Sequence, residues 1–529
     1  MLPPAIIGLL AAVLLLWGLD DKYLWQDEAN TAVLATRLLR FGRPLAYDGV
    51  NLITIDNFAA EQRASIGLRT GGARAAVDYY IARGDLKPDS TWKWHPWGQF
   101  IVAGAGIELL GQTTLGARLP FALAGILTVL LLYRFVDVYC GSRRMASIAA
   151  LLLALNTYWI LHSRQCRYYS LSSCLLVLTL LAYFHWQTGR KWGAAVFVVA
   201  SWCWFQVDYG TVWPVWGVLF ADAFLAQRRT PLRPLAVGAA LAASIAPFVW
   251  YYELWGRAGV ISETLTERVR HSLLHTNDYL APVVVIIAAT AIAVVRRRNL
   301  PPIERRALFV AAGIVVALAV WVPTVAAMAF VRYLIVAAPA GALVCAWFVV
   351  RVSPWQPALV AAAGTALLIF TPWLGLPLSA LRTSADHAGS ALFRSELLRL
   401  GREVFGHRPD PNRILIEWLA AHAAPGDEIL INYEDAPLMY YLPNPIRGGI
   451  AAFRVEDDST APPRFAALRR SVKFVHWPVF VRELGRCKWR QIPLPAPDVE
   501  WGNNPDPSAQ YPDEPAGLLL LEREPEPAR

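Results

Sequence analysis

The acid pair Asp27-Glu28 stands just beyond the first long apolar run of this 529-residue chain, in Asp20-Asp21-Lys22-Tyr23-Leu24-Trp25-Gln26-Asp27-Glu28-Ala29. A carboxylate at a membrane surface can act as a general base toward an acceptor hydroxyl or amine. The same pair at the start of a helix, here Glu28–Arg40, also caps backbone N–H groups and complements the helix dipole. Both readings are open for Asp27 and Glu28. Further on comes Trp92-Lys93-Trp94-His95-Pro96-Trp97. His95 is forced toward an extended backbone because it precedes proline. The tryptophans suit either an interfacial aromatic belt or a substrate platform. His95 suits either a hydrogen-bonded structural role or a substrate contact.

Arginines supply the second kind of chemistry. Arg164 and Arg167, in His162-Ser163-Arg164-Gln165-Cys166-Arg167-Tyr168-Tyr169, close one apolar run. Arg332-Tyr333 opens another, and Arg118 opens a third. A guanidinium binds phosphate in a planar, two-pronged fashion. Snorkelling to headgroup depth is the competing account, and it is the preferred one for Arg118 alone. Arg164, Arg167 and Arg332 together point to an anionic lipid-phosphate site.

These residues hang on a framework of apolar runs, each of the roughly 20 residues that cross a bilayer. The runs fall near 3–19, 119–138, 146–162, 170–186, 193–207, 211–226, 235–252, 279–295, 307–326, 331–350 and 356–373. The first lacks a basic leader and a small-residue cleavage site, so it reads as a helix. Eleven spans put the termini on opposite sides. Arg143-Arg144, Arg190-Lys191, Arg228-Arg229 with Arg233, Arg296-Arg297-Arg298 with Arg305-Arg306, and Arg351 all follow even-numbered spans. The positive-inside rule makes that side cytoplasmic. The N-terminus is then cytoplasmic, and the 20–98 loop and the C-terminal tail face outward.

The composition agrees. The chain is 56% hydrophobic and only 17% charged, against about 25% charged in soluble proteins. This excludes a disordered chain, a disulfide scaffold and a coiled coil, and it argues against an ordinary cytosolic enzyme. The net charge of +9 is explained by topology, so no nucleic-acid partner is expected. The six cysteines show no paired spacing and read as buried thiols. The expected domains are a transmembrane domain over 1–378 and an outward α/β domain over 379–529. In the latter, Pro411–Ala424 reads as an amphipathic helix with Ile414, Leu415, Trp418 and Leu419 on one face. Glu428–Asn432, Val472–Val475 and Leu518–Leu521 read as strands.

The combination resembles the GT-C superfamily of membrane glycosyltransferases, in its protein O-mannosyltransferase and aminoarabinose-transferase branch (family 39 or 83 type). The resemblance covers about residues 1–375. It rests on Asp27-Glu28-Ala29 after the first span, His95-Pro96 with the helix after it, and Leu115-Gly116-Ala117-Arg118-Leu119-Pro120 opening the second span. Arg164-Gln165-Cys166-Arg167-Tyr168-Tyr169 after the third span and Arg332-Tyr333-Leu334 at the tenth complete it. One departure is Trp97, where the family often has a second proline.

The resemblance implies an α-helical, polytopic, GT-C-like fold in the inner (plasma) membrane. It implies a glycosyltransferase that uses a polyprenyl-phosphate sugar donor, transfers to an extracytoplasmic acceptor, and inverts the anomeric carbon. The family's catalytic carboxylate matches Asp27, with Glu28 beside it. Arg164, Arg167 and Arg332 would bind the donor phosphate, and His95, Asp56, Tyr168 and Tyr333 would contact substrate. The long insertion at 47–89, with Asp48, Asp56 and Asp78, would shape acceptor choice. Arginines can neutralise a leaving phosphate, so no cofactor and no obligatory metal are expected. The runner-up readings are a lipid-linked-sugar transporter or flippase, and a structural subunit of a cell-envelope assembly. A transporter would tend to show paired broken helices, and none is expected here.

Overall fold

The computed structural model describes residues 2–53, 81, 88–227, 230–254, 264–326, 330–352, 357–379, 396–406, 409–447, 462–469, 484–498 and 517–525. Asp56, Asp78 and the strand expected at Val472–Val475 lie outside them. Nearly every expected span became a helix, because an apolar run in lipid must satisfy its backbone internally. The helices are α1 (Pro4–Leu16), α2 (Gln26–Phe41), α3 (Gly98–Leu110), α4 (Thr114–Cys140), α5 (Arg143–Ala154), α6 (Thr157–Ser163) and α7 (Tyr169–Gln187). Then come α8 (Gly193–Phe205), α9 (Tyr209–Ala226), α10 (Leu232–Tyr251), α11 (Leu265–His275), α12 (Val283–Val295), α13 (Pro302–Val325), α14 (Ala338–Arg351) and α15 (Pro357–Phe370). The C-terminal part adds α16 (Leu376–Ser379), α17 (Glu396–Phe405), α18 (Pro411–His422) and α19 (Asp435–Tyr441).

Among the described residues, four helices are long and apolar enough to cross a membrane: α4, α7, α10 and α13. Two bent pairs raise this to six if each is one span: α5 with α6, bent by 65°, and α11 with α12, bent by 78°. The other five expected spans are represented by α1, α8, α9, α14 and α15, of 13 to 18 residues. The bends correct the expectation of unbroken helices, and each has a local cause. At the first, Asn156 starts a new helix, its side chain accepting from Trp159 N at 2.9 Å. At the second, a π-turn over Thr276–Leu280 runs into Ala281-Pro282. The Asn156 amide also donates to Tyr279 O at 2.8 Å, so one break is tied to the other.

The chain divides into two compact bodies. One comprises Met1–Gly18 with Phe121–Gly406, the other Leu19–Pro120 with His407–Arg529. In the first, ion pairs join helix ends. Arg306 meets Asp222 at 2.6 Å, and Arg351 meets Glu304 at 2.7 Å. Arginines expected only to set topology therefore also lock α13 to α9 and to α14.

In the second body, α2 packs on α3 and on α19. The α3 to α4 hairpin is tight because Gly106 lies against Gly116 O and Pro120, leaving no room for a Cβ. A five-stranded mixed sheet has the order β2-β1-β3-β5-β4, with β1 Ile429–Ile431, β2 Ile446–Arg447, β3 Phe465–Leu468, β4 Trp489–Pro497 and β5 Gly517–Arg523. The first three strands are parallel, and β5 runs antiparallel to β3 and β4. Leu430, Ala466 and Leu468 form its core. Proline-rich β4 is an edge strand, where missing N–H donors are tolerated. Helix α18 forms as expected, but its buried face is Leu415, Ile416 and Leu419, with Ile414 and Trp418 half-buried.

Candidate functional site

The acid pair occupies the first turn of α2, and its two members are placed differently. Adjacent helical residues do not face each other. Glu28 turns inward and is fully buried. Its two carboxylate oxygens accept from Arg118 Nε at 2.8 Å and Arg118 Nη2 at 2.7 Å. The other Arg118 bonds go to main-chain carbonyls: Nη1 to Leu19 O (2.9 Å) and Lys22 O (2.7 Å), Nη2 to Tyr23 O (3.3 Å). Snorkelling is thus corrected for Arg118. It is a buried hub that organises the turn before α2. Asp27 stays half-buried on another face.

Thr31 lies one turn after Asp27, on the same side of α2. Its hydroxyl donates to Gln99 Oε1 of α3 at 3.4 Å, so α3 begins beside the Asp27 face. Gln99 is fully buried, and its Nε2 has no hydrogen-bond partner among the described residues. Just before it, the His95 ring stacks on Trp92, and Trp92 Nε1 donates to His95 Nδ1 at 3.3 Å. Trp97 Nε1 donates to Trp92 O at 2.8 Å. His95 is therefore held by the tryptophan cluster around it, next to the start of α3.

The same turn is gripped by the C-terminal segment. Tyr23 N donates to Asp410 Oδ2 (2.6 Å), Leu24 N to Tyr441 OH (3.2 Å), and Asn412 Nδ2 to Leu24 O (3.2 Å). Gln26 Nε2 donates to Asp435 Oδ1 at 2.7 Å, and Gln26 Oε1 accepts from Ala436 N at 3.3 Å. Sequence reasoning did not find Gln26, Asp410, Asn412, Asp435 or Tyr441. No local spacing links residues some four hundred positions apart. Arg118 had a signal: an arginine on the side disfavoured for basic residues needs an anion.

In the helical body, the predicted arginines separate into two situations. Arg164 ends α6 and donates to Leu14 O (2.7 Å), Trp17 O (2.6 Å) and Gly18 O (3.0 Å). Leu14 O belongs to the last turn of α1, whose carbonyls have no intrahelical partner, and Trp17 and Gly18 directly follow the helix end. Arg167 is buried, with its guanidinium 5.6 Å from the Tyr168 ring centre. Arg332 sits in a 3-10 turn, 4.3 Å from the Phe330 ring and 5.5 Å from that of Tyr333.

Tyr168 connects these groups. Burial pushes its phenol well above the usual tyrosine range; Tyr169, Asp208 and Tyr333 push the same way, and Arg167 opposes them. Arg167, Tyr333 and Asp208 thus lie within electrostatic reach of Tyr168. Asp208 was not anticipated. It is a buried carboxylate that accepts from Thr211 Oγ1 (2.6 Å), Gly210 N (2.9 Å) and Ser172 Oγ (3.4 Å). Its signal was available in Phe205-Gln206-Val207-Asp208-Tyr209, an acid between two apolar runs, where ionisable residues are rare and mark sites.

A cavity of about 130 Å³ opens at the two helix breaks. Asn156, Tyr158, Asn277 and Asp278 give it a polar side, and Ala342 and Cys345 belong to an apolar one. Arg399 donates to Tyr158 OH at 2.8 Å. Among the described residues, no three His, Cys, Asp or Glu side chains converge as metal ligands would.

No protein-family model matches the sequence, and no curated protein sequence matches it. Solved structures do match. The crystal structure of ArnT from Cupriavidus metallidurans bound to undecaprenyl phosphate aligns over 98% of this chain and 96% of its own, at 15% identity and a TM-score of 0.59. The apo form of the same protein aligns over the same shares, at 13% identity and a TM-score of 0.57. The chain therefore has the fold of these ArnT structures, and it carries helices long and apolar enough to cross a membrane.

Proposed function

We propose that this protein is a glycosyltransferase that moves a sugar from a polyprenyl-phosphate donor to an extracytoplasmic acceptor, with inversion at the anomeric carbon. The observation that carries the reading is the nearly full-length likeness to ArnT, a protein solved with undecaprenyl phosphate bound. Identity is low, so the likeness supplies the fold, and the chemistry is argued from this chain's residues. The basic loops support a plasma-membrane topology of eleven spans with a cytoplasmic N-terminus and an outward α/β domain.

In the reaction, an acceptor hydroxyl or amine attacks the anomeric carbon, and the bond from that carbon to the phosphate oxygen breaks. Asp27 takes the acceptor's proton. Its partner in sequence, Glu28, is spent on Arg118, which leaves Asp27 as the carboxylate of the pair for this task. Arg167 and Arg332 stabilise charge on the departing lipid phosphate, helped by their low-dielectric surroundings. Tyr168, Tyr333 and His95 contact substrate, and Arg164 keeps the Arg167 loop fixed against the end of α1. Asp56 is proposed for acceptor contacts.

The test is turnover of an undecaprenyl-phosphate-linked sugar by purified protein in detergent, read as release of undecaprenyl phosphate. Transfer to an added acceptor is expected, and Asp27→Asn should abolish it. Movement of the intact lipid-linked sugar across vesicles, with no cleavage under any acceptor, would favour a flippase and overturn the reading.

A further inference from the structure

The turn leading into α2 runs from exposed Asp20-Asp21 to buried Leu24-Trp25, and its backbone polar groups need partners as it enters the interior. On one side Arg118 takes the carbonyls of Leu19, Lys22 and Tyr23. The C-terminal segment supplies the rest through Asp410, Asn412 and Tyr441. One contact differs from these because it is made by a side chain adjacent to the acid. Gln26 presents both ends of its amide to the start of α19, donating to Asp435 Oδ1 and accepting from Ala436 N. Two opposed bonds fix the rotation of that amide as well as its position. Gln26 and Asp435 are 6% and 7% exposed, so water does not substitute for either bond.

We propose that Gln26 and Asp435 form a positioning pair that aims the Asp27 carboxylate, so that the C-terminal domain acts on the transfer step without touching substrate. The inference rests on the reading of Asp27 as the base. Gln26 and Asp27 are consecutive in the first turn of α2, where the intrahelical ladder has not yet begun. A rotation of that turn about its axis would swing Asp27 while leaving the rest of α2, held by α3, in place. Catalytic groups tolerate little of this, since a misplacement of about 1 Å can cost about a hundredfold in rate. The chemistry of the pair also predicts which replacement is harmless. An asparagine at position 435 keeps an acceptor oxygen for Gln26 Nε2, whereas an alanine or leucine does not.

The experiment compares Asp435→Asn, Asp435→Ala, Gln26→Ala and the double alanine variant in the full-length protein. Expected is a drop in kcat of about tenfold or more for each alanine variant, an unchanged donor KM, and near-complete recovery in Asp435→Asn. The double alanine variant should be no slower than the worse single one, because both break the same link. A second readout does not depend on turnover. In a background with Cys487 changed to Ser, Asp27→Cys is labelled with a membrane-impermeant maleimide, with and without Gln26→Ala. The labelling rate should change several-fold when the link is cut. If Asp435→Ala fails to fold, Gln26→Ala carries both readouts alone. Additive losses, an equal fall in Asp435→Asn, or unaltered kcat and labelling in Gln26→Ala would each overturn the proposal. Full activity in Asp27→Asn would instead remove the base assignment, and the labelling result would still report on the pair.

Discussion

Arg118 and Glu28 meet through two parallel N–H···O bonds, of 2.8 and 2.7 Å, inside the body formed by Leu19–Pro120 and the C-terminal segment. The pair sets two neighbouring acids apart: Glu28 is buried in an ion pair, and Asp27 lies half-buried on another face of α2. Removing one partner of a buried pair strands the other charge and costs about 3–5 kcal/mol. Glu28→Gln should therefore lower the thermal midpoint in detergent, whereas Asp27→Asn should leave it nearly unchanged and cut kcat by at least about a hundredfold, the lower end of general-base effects. A stable, inactive Glu28→Gln would reverse the two roles.

The arginines should separate in the same manner. Arg332→Ala is expected to weaken binding of the lipid-linked donor, with Arg332→Lys intermediate because it keeps charge but loses the planar fork. Arg164→Ala should chiefly destabilise α1, since it removes charged hydrogen bonds worth about 1.5–3 kcal/mol each at most. Donor titration and thermal unfolding of both variants decide the matter. Loss of donor affinity in Arg164→Ala at unchanged stability would place that side chain on the phosphate instead.

Asp435 gives a prediction in pH. Burial pushes its carboxyl above the usual range, and bonds from Gln26 and from the Asp435 and Ala436 backbones oppose this only in part. A carboxyl whose folded pKa is raised holds its proton longer in the folded state than in the unfolded one. Its contribution is therefore favourable at low pH and is lost as pH rises from the unfolded value through the folded one. Stability in that window should fall by up to about 1.4 kcal/mol per pH unit. Asp435→Asn should flatten the slope, as read from unfolding midpoints at a series of pH values. An identical slope in the variant would mean that another group titrates.

Asn156 links the two helix breaks, capping α6 and donating to Tyr279 O. Asn156→Ala should cost about 1–2 kcal/mol from the cap alone. Asn156→Asp keeps the capping oxygen but loses the donor, so it should fall between alanine and wild type. Equal unfolding midpoints for the alanine and aspartate variants would show that the cap contributes nothing.

Much of this was legible in the sequence. Apolar runs bounded by arginines located most helices of the first body, because an apolar run of span length shows itself in local sequence. The Asp27 turn, the His95 segment and the α3 helix were legible for the same reason. Partner choice was not. Gln26 reads as an ordinary polar residue, and only folding brings Asp435 to it. Asp410 caps α18, a role that local sequence could have shown, yet Asp410 and Asn412 also hold the turn before α2, which it could not. The break at Leu155-Asn156 was missed because it carries no proline or glycine, and the side chain that starts α6 there is an asparagine inside an apolar run; the break at Ala281-Pro282 does carry a proline, so its signal was present. The parallel strands β2 and β3 were too short to announce themselves by alternation.

The body that carries Asp27 is assembled from two stretches of chain, with residues 121–406 between them. During synthesis, at about 5–20 residues per second, the first stretch waits on the order of 15–60 s for the second to emerge. Through that interval the main-chain groups of Tyr23 and Leu24 have no Asp410, Asn412 or Tyr441 to meet. The turn that carries Asp27 is thus completed last, and on the function proposed above a nascent chain lacking residues 407–441 is expected to show no transfer activity. Ribosome-released fragments ending before residue 407 should be cut readily by protease within residues 19–26, where the finished protein resists.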